Sequence, residues 1–142
     1  MKDYRHGSHT AFSIHLHIVW ITKYRKKVLK KEIAVFVRDI IRKECNKSQV
    51  DILKGHISKD HVHILVSIPP QQSISRLVQR LKGKSSYLIL SQYPHLKKIY
   101  WGRHFWARGY FVRSCGEVTD EVIKHYIETQ SHNDDDFNID SL

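Results

Sequence analysis

Apolar and polar side chains alternate along SIHLHIVWI (13–21), a stretch rich in β-branched and aromatic residues, and this period of two predicts a strand. TKYRKK follows as a basic connection. The period then changes: VLKKEIAVFVRDIIRKECNK sets Ile33, Phe36, Val37, Ile40 and Ile41 three and four apart, which predicts a helix of about four turns. VDILKGHIS (50–58) and HVHILVSI (61–68) read as two strands of a hairpin around Lys59 and Asp60, and Pro69–Pro70 stop the second. From Ser73, a good N-cap, SISRLVQRLKGKSSYLILSQ carries Ile74, Leu77, Val78 and Leu81 on one side, with Gly83 weakening the helix midway. IYWGRHFWARGYFVRSC is aromatic and interrupted by glycine, so one or two strands are expected there. TDEVIKHYIETQ opens on Thr119, with Asp120 and Glu121 placed where a helix dipole favours acids.

The order β-α-β-β-α-β plus a C-terminal helix predicts an α+β, ferredoxin-like fold: an antiparallel sheet with helices on one face and the other face free for a ligand. Residues 1–130 form one domain in this reading, and residues 131–142 a polar, acidic tail. On the second hairpin strand Val62, Ile64, Val66 and Ile68 should face the helices. His61 and His63 then share the opposite face.

Charge narrows the partner. All 24 Lys and Arg precede residue 131, where ten acids oppose them for a net +14; the last twelve residues bring four more acids and a total of +10. A basic body suggests a polyanion. No run approaches the ~18 apolar residues of a membrane span, and no basic amphipathic helix stands out, so nucleic acid is favoured over a membrane surface. Two cysteines seventy residues apart give neither a disulfide framework nor a zinc ribbon, and the start MKDYRHGSHTAFS has no apolar signal core. Both facts suit a reducing cytoplasm.

The histidines come next. Among eleven, two H-x-H pairs occur, His15/His17 and His61/His63, against about one expected by chance. Spacing alone therefore decides nothing. Each pair presents two imidazoles side by side on a strand, but a catalytic divalent ion needs a further ligand and a nucleophile. Tyr126 and Gln130, four apart on the last helix, could supply a phenol nucleophile and an amide ligand. Tyr126 also belongs to an apolar stripe with Val122, Ile123 and Ile127, which makes a packing role the plain alternative. GKSS at 83–86 resembles the end of a phosphate loop, but Val78 fills the required glycine position and the segment reads as helix. RGYFV at 108–112 puts Phe111 where an RNA-recognition signature has Gly or Ala. YWGRHFWARGYFVR (100–113) interleaves aromatics with Arg103, Arg108 and Arg113, suited to stacking and phosphate contact on single-stranded nucleic acid. A core strand with solvated arginines fits that stretch equally.

HIVWITKYRKKVL, DHVHILV and WARGYFVRSCGEVTDEVIKHYIETQ, in this order over residues 10 to 130, together resemble the small single-tyrosine HUH transposases of insertion sequences, the TnpA type of the IS200-like family. The resemblance implies that His61 and His63 are the HUH pair around Val62, that Gln130 completes a Mg²⁺ or Mn²⁺ site, and that Tyr126 is the nucleophile. It gives His15 and His17 no ligand role. It further implies a homodimer, in which one subunit can complete the active site of the other, that cleaves and rejoins single-stranded DNA bearing hairpins at element ends through a 5′-phosphotyrosine, with no nucleotide cofactor. Lys23, Tyr24, Arg25, Arg103 and Arg108 are the expected DNA contacts. The competing class is a non-catalytic, RNA-binding module on the same sheet. A third reading is a domesticated relative that cuts chromosomal repeats.

Overall fold

The computed structural model describes residues 4–99, 104–115 and 137–138. A short N-terminal hairpin, β1 (Arg5–His6) and β2 (Ala11–Phe12), precedes β3 (His15–Ile21), a single 3₁₀ turn (Lys23–Arg25) and helix α1 (Lys31–Lys47). β4 (Asp51–Ser58) and β5 (His61–Ser67) form the central hairpin, followed by α2 (Ile74–Gln92), the short α3 (Pro94–Ile99), β6 (Phe111–Cys115) and β7 (Phe137–Asn138). The main sheet runs β6-β3-β5-β4-β7 with antiparallel neighbours throughout. Without β7 this is the ferredoxin-like order expected from the element pattern. The N-terminal hairpin, α3 and β7 were not anticipated; β7 lies in the stretch read as a polar tail and pairs Phe137 with Ile57.

The alternation that predicted the strands also sorts their faces. Leu16, Ile18 and Trp20 on β3, Ile57 on β4, and Val62, Ile64 and Val66 on β5 are all buried on the helix side. Against them α1 packs Ala34, Val37, Ile41 and Cys45, while α2 packs Leu77, Val78, Leu81 and Ile89. Burial pushes the Cys45 thiol up to about 12, so it is inert packing. The core also fixes the register of β5. Each of Val62, Ile64 and Val66 gains roughly 1.5–3 kcal/mol on burial, and a slip of one residue would exchange them for His61, His63 and Leu65.

Three local expectations are refined. Helix α2 runs unbroken through Gly83, which has open space around it, so the glycine costs only its propensity of about 1 kcal/mol, outweighed by the buried leucines on either side. Ser73 caps the helix by accepting from Arg76 N at 3.3 Å. The aromatic stretch divides: Phe105 and Trp106 are core, while among its described residues only 111–115 form a strand and Phe111 stays 54% exposed. Trp106 meets Trp20 edge to face at 6.0 Å and donates from Nε1 to Ser85 Oγ at 2.8 Å; Phe105 N donates to Ser86 Oγ at 3.1 Å. The serines of GKSS therefore fasten the aromatic segment to α2, which rules out a phosphate loop. No helix among the described residues is long and apolar enough to cross a membrane.

Candidate functional site

The face of the sheet away from the helices gathers histidines from three strands. His61 lies across from Ile21 on β3 and Ser58 on β4, and His63 across from Val19 and His56. His17 lies across from Leu65, one diagonal step from His63, and its ring meets that of His63 edge to face at 5.9 Å. Sequence reasoning expected this face to be free. Its middle is instead buried, with His17 at 4%, His63 at 7% and Leu65 at 2% relative exposure, partly because the imidazoles cover one another.

His61 has a built partner. Its Nδ1 lies 2.8 Å from Oδ1 of Asp60, whose other oxygen, Oδ2, accepts from Arg25 Nε at 3.2 Å and Nη2 at 3.1 Å. Burial pushes the Asp60 carboxyl upward, but the hydrogen bond from His61 and the Arg25 guanidinium outweigh it and hold Asp60 below its ordinary range. An ionised carboxylate can only accept, so His61 donates from Nδ1, and the neutral form of its ring carries the lone pair on Nε2. His63 is neutral: burial, then the neighbouring His17, His61 and His56, bring it down to about 4. His63, and the neutral form of His61 through Nε2, can each offer a nitrogen lone pair to a cation. This is a donor set suited to a divalent transition-type ion.

Among the described residues no three His, Cys, Asp or Glu converge as a metal cluster. His61 and His63 are brought together as predicted. Tyr126, Gln130 and Arg103 lie outside the described residues. Asp60 is the residue that sequence reasoning missed. It was read only as a turn, because neighbours along a strand point to opposite faces; standing in the turn itself, Asp60 is released from that rule and folds back onto His61. An acid immediately before an H-x-H strand was the available signal.

The expected DNA contacts separate. Arg25 is engaged with Asp60, although its side chain remains 66% exposed. Tyr24 is exposed, with Lys23 Nζ 5.2 Å and Lys26 Nζ 6.0 Å from its ring centroid. Lys23 and Arg108 line a groove of about 1180 Å³ beside α2, together with Lys82, Lys97, Tyr87 and Tyr110, and no described acid lines it. Lys82 donates to the carbonyls of Ala107 and Gly109 at 2.8 and 2.7 Å, which shapes the groove wall.

Comparison with known proteins bears on this arrangement. Residues 10–130 match the family described as "Transposase IS200 like". The chain is 39% identical over 131 residues to the transposase of insertion sequence element IS200 from Salmonella typhimurium, covering 90% of this chain and 86% of that one. It is 34% identical over 128 residues to the ISDra2 transposase TnpA of Deinococcus radiodurans, covering 90% and 91%. A crystallised candidate transposase from Deinococcus radiodurans R1 superposes with a TM-score of 0.73 at 34% identity, covering 89% of this chain and 97% of the other. A REP-associated tyrosine transposase bound to a REP hairpin shares the fold, with a TM-score of 0.58 at 13% identity over 90% of this chain and 69% of its own.

Proposed function

This chain belongs to the IS200-like transposases, and from that premise we propose that it is a metal-dependent, single-tyrosine enzyme that cleaves and rejoins single-stranded DNA at insertion-sequence ends. Tyr126 is the nucleophile in this reading. Its phenol loses a proton, the phenolate oxygen bonds to the scissile phosphorus, and the 3′-oxygen leaves and is protonated, which gives a 5′-phosphotyrosine. One phosphodiester replaces another, so a second 3′-hydroxyl can reverse the exchange and join new ends without a nucleotide cofactor. His61 and His63, with Gln130, would hold Mg²⁺ or Mn²⁺. That ion supplies charge neutralisation at the phosphate. The neutral ligand set leaves the ion's charge available, and the imidazoles favour Mn²⁺ somewhat over Mg²⁺.

The observation that carries the proposal is the pair of imidazoles on one sheet face, one hydrogen-bonded through Nδ1 to Asp60 and the other kept neutral by burial. The acid-free groove with Lys23 and Arg108 supports a DNA track, and the hairpin bound by the REP-associated relative supports hairpins as the recognised form. A homodimer is part of the reading.

Incubation with Mn²⁺ and single-stranded DNA carrying the element-end hairpins should give a covalent adduct that survives denaturation. Tyr126→Phe should abolish it while binding persists. An adduct in that variant would place the nucleophile elsewhere; DNA binding without any adduct in the wild type would favour the non-catalytic module.

A further inference from the structure

We propose that Asp60 and Arg25 are positioning residues: a carboxylate–guanidinium pair that fixes the tautomer and orientation of His61 and so prepares its Nε2 to hold the cation. The inference rests on the metal reading above for its purpose, but on the described geometry for its substance. Asp60 Oδ1 accepts the hydrogen bond from His61 Nδ1, and Arg25 grips Oδ2 through two nitrogens, so the carboxylate cannot rotate away from the ring without breaking both.

The backbone around the pair is built to keep this alignment. Tyr24 and Arg25 both adopt positive φ, at 62° and 51°, an uncommon conformation for side chains of their size. Such strain persists only where the surroundings over-determine it. Here they do. Thr22, fully buried, donates from N to the carbonyl of Asp60 at 2.9 Å and from Oγ1 to Lys26 O at 2.8 Å, while Leu29 N donates to Lys59 O at 2.9 Å. The segment 22–29 is thus stitched to the 59–60 turn on both sides of Arg25. The left-handed turn is what swings the Arg25 side chain back onto Asp60, and the stitching holds the turn. Without Asp60, His61 could protonate either nitrogen and turn about its side-chain bonds. With it, the neutral ring keeps Nε2 as its acceptor.

The test uses the full-length, metal-free protein and Mn²⁺ alone, without DNA, so that a DNA contact by Arg25 cannot contribute. Long-range ¹H–¹⁵N spectra of the imidazoles, with His61 assigned by its loss in His61→Gln, should show the Nδ1–H tautomer in the wild type. Asp60→Ala should shift His61 toward Nε2–H and weaken Mn²⁺ binding by about 10–100-fold, as is usual for carboxylates behind a ligating histidine. Asp60→Asn, whose amide can accept or donate, keeps the shape and should lose the fixed tautomer. Arg25→Ala should weaken Mn²⁺ binding less, and adding it to Asp60→Ala should cost nothing further, because Arg25 acts through Asp60. An unchanged tautomer and affinity in Asp60→Ala, or additive losses in the double variant, would overturn the proposal. A wild type that binds no Mn²⁺ yet shows a tautomer fixed by Asp60 would sink the metal reading and leave the positioning role standing.

Discussion

His15/His17 and His61/His63 have the same spacing, lie on neighbouring antiparallel strands, and point to the same face of one sheet. Their surroundings differ. His61 has a carboxylate at 2.8 Å from its Nδ1, whereas His17 sits across from Arg113 on β6, and burial and that guanidinium lower its proton affinity. His15 Nδ1 is buried with no hydrogen-bond partner among the described residues. A carboxylate behind an imidazole raises its basicity and welcomes a cation in front of it; an arginine beside an imidazole repels one. The period of a strand decides where two rings point, and the charge next to them decides what they can hold.

The largest way to break this contrast is to remove the favoured pair. His61→Ala or His63→Ala should abolish the covalent DNA adduct and lower Mn²⁺ affinity by more than the roughly 100-fold upper range for a supporting residue, since each removes a ligand outright. Retained cleavage in either variant would show that the cation is held elsewhere.

Next in size is an acid effect on the metal-free protein. In the folded state His63 titrates at about 4, against 6.5 for an ordinary histidine. Above pH 6.5 both folded and unfolded chains carry it neutral, and its contribution is fully present. As the pH falls below 6.5 the unfolded chain takes up the proton first, so stability falls until about pH 4 and then levels off, by at most about 3 kcal/mol. Denaturant titrations at pH 7.5, 5.5 and 4 should show this loss, and His63→Gln should flatten it. An equal slope in the variant would assign the acid sensitivity to other groups, Asp60 among them, whose lowered carboxyl acts in the same direction.

The contrast also marks what the sequence could convey. Period-two alternation was enough to orient His61, His63 and the apolar residues between them, because the core enforces that register. Helical spacing gave α1 and α2, and the six-element order gave the sheet. Charge pairing was less legible. Asp60 reaches His61 only because a turn folds it back, and Arg25 reaches Asp60 only through two residues of left-handed backbone, neither of which leaves a mark in residue spacing. The aromatic stretch was legible in kind but not in location: Phe105 and Trp106 went to the core because Ser85 and Ser86 offer hydrogen bonds there, a match between segments nineteen and twenty-one residues apart. β7 was missed for a related reason, since two residues carry no period.

A smaller effect tests the unfavoured pair directly. Arg113→Gln should raise the proton affinity of His17, seen as an upward move of its NMR titration, while burial still keeps it below an ordinary histidine. No upward move would mean that the guanidinium is too screened by solvent to matter.

The smallest effect is expected from His15→Ala, and it is the sharpest comparison because spacing alone cannot distinguish His15 from His61. His15 pairs with Ser67, which stands four residues along β5 from His63 and six from His61. At ~3.3 Å per residue that is about 13 and 20 Å of strand, far beyond the roughly 2 Å reach of an imidazole nitrogen to a bound ion. Adduct formation and Mn²⁺ affinity should therefore match the wild type in side-by-side assays. If His15→Ala instead lost both while remaining folded by circular dichroism, the cation would have to sit at the other end of the sheet, and the role given to Asp60 would fall with it.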